Sequence, residues 1–328
     1  MTSLGEPPAD PLTGGGASQL SPQPTAAPRR WWQQRGTRIA LLAAGAVFFL
    51  AVSLWPVVRG LSRMGMAQWW ENQALAHEFE GNLKQAIADI DQAIAMAPND
   101  LNYYVARAKL HLEAGDTKAS LADFEHVIKA NPNHAEAYQG RSRVLQREGR
   151  HAEALPDLTK ALELSTASDP DPWNNRAYGR ALANTELSEG LADIERALKL
   201  LRRQQADDLA AAADAALVVA SYRGAEAGFL DTRGYLQHLL GNQQQALDDL
   251  NRAFELHKDY RKAALDEARK MKANAARMTY LQTHLDHTDA VIVHHRGLVH
   301  RALGQEKEAD ADLRWADELG YNPAAGVE

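Results

Sequence analysis

The sequence predicts an all-α protein, a stack of helical hairpins preceded by one membrane-spanning helix. Three observations lead there. First, the pattern of residues 233–256, RGYLQHLLGNQQQALDDLNRAFEL, recurs five more times at nearly constant spacing. It reads as two short amphipathic helices joined at Gly241-Asn242. Units of this kind bury their apolar faces by stacking on one another. Second, alanine-rich runs with few β-branched residues favour helix over sheet. Third, the 20 residues from Ile39 to Val58, IALLAAGAVFFLAVSLWPVV, carry no charge.

Composition removes several classes of function. Apolar residues make up 45% of the 328 and charged residues 24%, as in a folded protein. With no cysteine there are no disulfides, thiolate metal sites or cysteine nucleophiles. The net charge is −7: residues 1–28 carry −2, and Arg29, Arg30, Arg35, Arg38, Arg59 and Arg63 carry +6, leaving −11 from Met64 onward. An acidic body lacks the basic stripe that nucleic-acid binding needs, so no nucleic acid is expected.

Residues 1–38 are expected to form a disordered tail ending in a basic juxtamembrane segment. Six of the thirteen prolines lie within the first 28 residues, which hold little to bury. The apolar stretch that follows, 39–58, would rise ~30 Å as a helix, the hydrocarbon thickness of a bilayer. Trp31, Trp32 and Trp55 flank it as an interfacial belt does. A cleavable signal peptide has an apolar region of ~7–15 residues. This one is longer and follows 38 residues, so an uncleaved anchor in the lipid bilayer is expected. Four arginines precede the span and two follow it. The excess of positive charge puts the tail in the cytoplasm and the body on the extracytoplasmic side.

From Ala67 onward the units resemble the tetratricopeptide repeat family. The first has Trp70, Ala74, Gly81, Ala86, Ala93 and Pro98 at repeat positions 4, 8, 15, 20, 27 and 32. The second has Tyr104, Ala108, Gly115, Ser120, Phe124 and Pro132, and the third Tyr138, Ser142, Gly149, Ala154, Leu158 and Ala161. These three abut over 67–168. A fourth covers 170–200, with Ala183-Asn184-Thr185-Glu186 in place of the Gly-x turn. A fifth covers 227–259 and a sixth 290–323. Two helical insertions interrupt the series. In 201–226 either the preceding helix extends or a spare helix packs. In 260–289 an extended helix leads to a turn near His287-Thr288-Asp289. The resemblance implies a tetratricopeptide-type helical-hairpin solenoid behind a single transmembrane helix.

One regularity exceeds packing. Position 23 is Asp in all six units: Asp89, Asp123, Asp157, Asp193, Asp249 and Asp312. Position 7 is Arg in five: Arg107, Arg141, Arg176, Arg233 and Arg296, with Gln73 in the first. The constant separation predicts a ladder of structural ion pairs, within hairpins or between neighbours.

By the resemblance, positions 2, 5, 9 and 12 of each first helix face a concave groove. Lys109, Gln139, Arg143, Asn174, Tyr178, Asp231, Tyr235, His238, His294 and Arg301 fall there. Tyrosines and arginines are the residues that anchor interfaces, so the expected partner is a peptide or protein segment. The Lys/Asn/Arg carboxylate clamp of chaperone-binding relatives is missing, since Glu71 and Leu75 stand where a Lys and an Asn would be needed. The histidines His284, His287, His294, His295 and His300 lack HExxH spacing, so no metal is expected. No GxSxG, Walker loop or GxGxxG occurs. The expected function is that of a non-enzymatic, membrane-tethered interaction scaffold without cofactors. The alternative is an accessory or regulatory subunit that positions a membrane enzyme complex.

Overall fold

The computed structural model describes residues 63–211 and 215–321. The tail and the apolar stretch 39–58 lie outside them. Among the described residues no helix is long and apolar enough to cross a membrane, and no strand occurs.

The chain runs as six antiparallel hairpins. They pair α1 (63–79) with α2 (Leu83–Met96), α3 (Leu101–Glu113) with α4 (Thr117–Ala130), and α5 (Ala135–Arg147) with α6 (His151–Leu164). Then come α7 (Asp171–Leu182) with α8 (Leu187–Ala211), α9 (Ala215–Leu239) with α10 (Gln243–Lys270), and α11 (Ala275–Ala302) with α12 (Glu306–Glu318). Each hairpin packs on the next.

The helix ends follow from local chemistry. Asp100 and Asp116 cap α3 and α4, accepting from the backbone N–H of Asn102 and Ala119 at 3.0 Å each. Gly241, at φ +84°, ends α9 in the left-handed region that glycine occupies without strain. The fourth turn has no glycine. Asn184 and Glu186 take that region instead, at φ +48° and +49°, which accommodates the extra residue.

The small positions are where the two helices of a hairpin meet. Ala86, Ala93, Ala108, Ala246 and Ala253 are fully buried. Ser120, equally buried, donates its hydroxyl to the Ala108 carbonyl at 2.7 Å. Large residues fill the layers between: Phe124, Ile90, Ile194 and Leu250. Gly140 admits the Phe124 ring where any Cβ would collide with it.

The two irregular segments are built from lengthened helices. Across 201–226, α8 extends to Ala211 and α9 begins at Ala215. Across 260–289 the expected single helix with a turn at 287–289 is not what forms. The chain breaks at 271–274 and is helical through His287, Thr288 and Asp289. Lys272 takes φ +54°, and the Asn274 side chain caps α11 by accepting from Arg277 N–H at 2.9 Å. Asp289 stays inside the helix because its carboxylate is taken from the side: His257 lies 2.7 Å away and Arg261 donates at 2.6 Å.

The result is a 28-residue α11, ~42 Å at 1.5 Å per residue. Its far end returns to the first hairpin. The Tyr280 ring meets Phe79 of α1 edge-on, centroids 6.3 Å apart, and the Arg277 guanidinium lies 5.3 Å from the Phe79 ring centre.

Candidate binding cavity and its frame

The Arg and Asp side chains meet within each hairpin. Arg107, Arg141, Arg176, Arg233 and Arg296 each donate Nε and Nη2 to the two oxygens of Asp123, Asp157, Asp193, Asp249 and Asp312 respectively, all at 2.6–2.8 Å. This fork-on-carboxylate geometry gives direction as well as attraction. Side-chain hydrogen bonds from the carboxylates raise the Arg107, Arg141 and Arg233 pKa values further. Three of the arginines also lie near an aromatic ring three residues earlier: Arg107 near Tyr104, Arg141 near Tyr138 and Arg176 near Trp173, at 5.5–5.9 Å from the ring centres. Links between hairpins are fewer. Arg107 reaches Asp91 of α2 at 2.6 Å, and Arg296 reaches Asn251 of α10 at 3.4 Å. In the first hairpin, where Gln73 replaces the arginine, His77 takes over and lies 2.7 Å from Asp89. Spacing alone did not reveal that substitute, which sits one turn further along α1.

The first helices of successive hairpins surround a cavity of about 310 Å³. Gln139, Arg143 and Gln146 enter from α5, Asn174, Asn175 and Tyr178 from α7, and Asp231 and Thr232 from α9. Its apolar wall includes Leu158, Phe229, Val291 and Ile292. Five of the ten groove residues therefore converge: Gln139, Arg143, Asn174, Tyr178 and Asp231.

Their hydrogen-bonding states differ. Gln146 is 8% exposed, and its Nε2 is buried with no partner among the described residues. The same holds for Asn174 Oδ1. Arg143 is exposed and forms no ion pair among the described residues. Burial drives the Tyr178 hydroxyl pKa well above 10, with help from Asp231. The cavity thus offers an unused amide donor, an unused amide acceptor and a free guanidinium beside an apolar wall. A carboxamide matches a peptide group, donor to acceptor and acceptor to donor.

Asp231 corrects the sequence expectation. It reads from the sequence as an open groove residue, but it is 4% exposed and its carboxylate faces His295 Nδ1 at 3.0 and 3.1 Å. Only the long α11 makes this possible, bringing together residues 64 positions apart. Tyr235 stacks on the same His295 ring at 4.1 Å, and His238 stacks on Tyr235 at 6.4 Å while its Nδ1 lies 2.7 Å from Gln243 Oε1. His294 stacks on Tyr321 at 3.9 Å, and burial holds its pKa down to about 4. Tyr235, His238 and His294 thus form aromatic packing beside the cavity.

The remaining two expected groove residues lie elsewhere. Lys109 lines a second cavity of about 330 Å³ with Glu71, Leu75 and Glu78, and its Nζ lies 2.5 Å from Glu136. Burial raises the Glu78 pKa. Arg301 is exposed, 3.6 Å from Asp310. Among the described residues no three His, Cys, Asp or Glu side chains are grouped to hold a metal ion.

With this geometry in view, the comparisons fit the hairpins. A model of the tetratricopeptide repeat matches residues 67–100, 101–134 and 135–167. These residues are tetratricopeptide repeats. No curated protein matches the sequence. Among solved structures, the type IV pilus biogenesis factor PilW is similar at 15% identity, covering 79% of this chain and 96% of its own, with a TM-score of 0.48. MamA from Desulfovibrio magneticus RS-1 is similar at 16% identity, covering 59% and 96%, with a TM-score of 0.45. YrrB, described as a tetratricopeptide repeat protein with an unusual peptide-binding site, is similar at 18% identity, covering 60% and 90%, with a TM-score of 0.41.

Proposed function

We propose that the protein is a membrane-tethered, non-enzymatic scaffold whose inner cavity binds an extended protein segment. The supporting observation is the pair of unpartnered amides, Gln146 Nε2 and Asn174 Oδ1, in one cavity with the free Arg143. A buried polar atom without a partner costs ~1–3 kcal/mol. A chain retains such a cost where a ligand supplies the missing bond. A peptide backbone supplies donor and acceptor together, while its side chains meet Leu158, Phe229, Val291 and Ile292.

The tether is the stretch from Ile39 to Val58, with the body on the extracytoplasmic side. What supports it is the uncharged length and the arginine excess before it.

Affinity purification of the full chain from solubilised membranes tests both. The Arg143→Glu and Asn174→Leu variants should lose a protein that the Lys129→Glu variant, altered on the outer helix α4, retains. Equal recovery by all three would overturn cavity binding. Recovery of the chain in the soluble fraction without detergent would overturn the tether.

A further inference from the structure

Seven large apolar side chains are exposed among the described residues, and five of them lie on α1: Met64, Met66, Trp69, Leu75 and Phe79. Two of the five belong to features already described. Leu75 lines the second cavity, and Phe79 meets Tyr280 and Arg277. Met64, Met66 and Trp69 remain, 65%, 47% and 48% exposed, at the start of the helix. The Trp69 ring touches only its neighbour Trp70, edge-on at 4.6 Å. The end unit of a solenoid ordinarily turns a polar face outward to stay soluble. This end does the opposite.

The position of these residues in the chain identifies what covers them. Met64 follows Val58, the last residue of the apolar stretch, by six positions. Six residues reach ~9 Å as a helix and ~20 Å fully extended. The headgroup layer alone is ~5–8 Å deep on each side of the hydrocarbon. An anchored chain therefore cannot hold the start of α1 far from that layer. The polar residues nearby suit it. Arg59 and Arg63 sit where anionic headgroups would meet them, and an indole with one polar edge settles at the membrane–water boundary.

We propose that the first turns of α1 lie in the headgroup layer, with Met64, Met66 and Trp69 against lipid. This rests on the tethering reading above. The surface fixes the solenoid by its first hairpin, with the cavity of α5, α7 and α9 carried beyond it.

The chain has no cysteine, so one introduced cysteine gives a single spin-label site. Full-length Met66→Cys, Trp69→Cys and Met271→Cys, each labelled, are reconstituted into phosphatidylcholine vesicles containing phosphatidylglycerol. Flotation is scored first. A chain that fails to float overturns the tether, and this inference with it. In floated samples, the accessibility ratio of oxygen to a water-soluble nickel chelate is read by power saturation. The ratio at positions 66 and 69 should be several-fold that at exposed position 271. A ratio at 66 and 69 equal to that at 271 would leave the tether standing and overturn the lipid contact. Labels at 66 and 69 shielded from both reagents would also overturn it, placing protein over the patch instead. Two independent sites guard against one variant failing to fold.

Discussion

Arg233 grips Asp249 through two hydrogen bonds, Nε to Oδ2 at 2.7 Å and Nη2 to Oδ1 at 2.6 Å, joining α9 to α10 across their turn. The Asp249 side chain is 14% exposed and that of Arg233 26%. The pair is neither a surface contact nor fully sealed. Its value lies in fixing the register of two helices at one point, and five hairpins repeat it.

Arg233→Ala strands Asp249 in a mostly buried site. Hydrogen bonds to charged groups contribute ~1.5–3 kcal/mol, so the melting temperature should fall by several degrees, at ~2–4 °C per kcal/mol for a body of this size. Hydrogen exchange should rise in α9 and α10 before other helices. An unchanged melting temperature would show that Asp249 finds water at no cost.

The unpartnered amides predict the opposite sign. Gln146→Met and Asn174→Leu each remove a buried polar atom that lacks a bond. Thermal melts of the unliganded protein should show equal or higher stability, by up to ~1–3 kcal/mol. Binding of the partner recovered from membranes should fall at least tenfold. Loss of stability would mean that an internal partner already satisfies these atoms.

His294 makes stability depend on pH. Burial and the neighbouring His295 hold its pKa near 4, below the ordinary histidine value of 6.5. The unfolded chain therefore takes up a proton before the folded one. This contribution to stability is complete above about pH 6.5 and is lost progressively down to about pH 4. Chemical denaturation at pH 7 and pH 5 should show the loss, and His294→Phe should reduce the difference. An unchanged difference would move its origin to other groups.

Phe79 holds the end of α11 against α1 through Tyr280 and Arg277. In Phe79→Ala, hydrogen exchange over residues 275–287 should accelerate while the hairpins of α3 to α6 stay protected. Unchanged exchange would show that the α10–α11 pair is rigid without this contact.

Much of the frame was legible because it is periodic. Small residues recur where helices cross, and Asp recurs with Arg at the facing position. What was not legible depends on pairs far apart in sequence. His295 reaches Asp231, and His257 and Arg261 reach Asp289, so helices extend where a turn was expected. The real break at 271–274 had a local signal in Asn274, a good helix cap ahead of an alanine pair. His77 filled the place of the missing first arginine from another turn of the helix. Gln146 was passed over as a cavity residue although it stands at groove position 12 of the third repeat. Its lack of a partner appears only once α7 is packed beside it.

The central claim is that the cavity of α5, α7 and α9 receives a protein segment. A photoreactive residue at position 139, in the full chain expressed in its membrane, tests it most directly. Irradiation should give discrete cross-linked products from position 139, absent from position 129 on α4, and lost when Asn174→Leu is added. Identical products from both positions, or products from 139 that persist with Asn174→Leu, would contradict it.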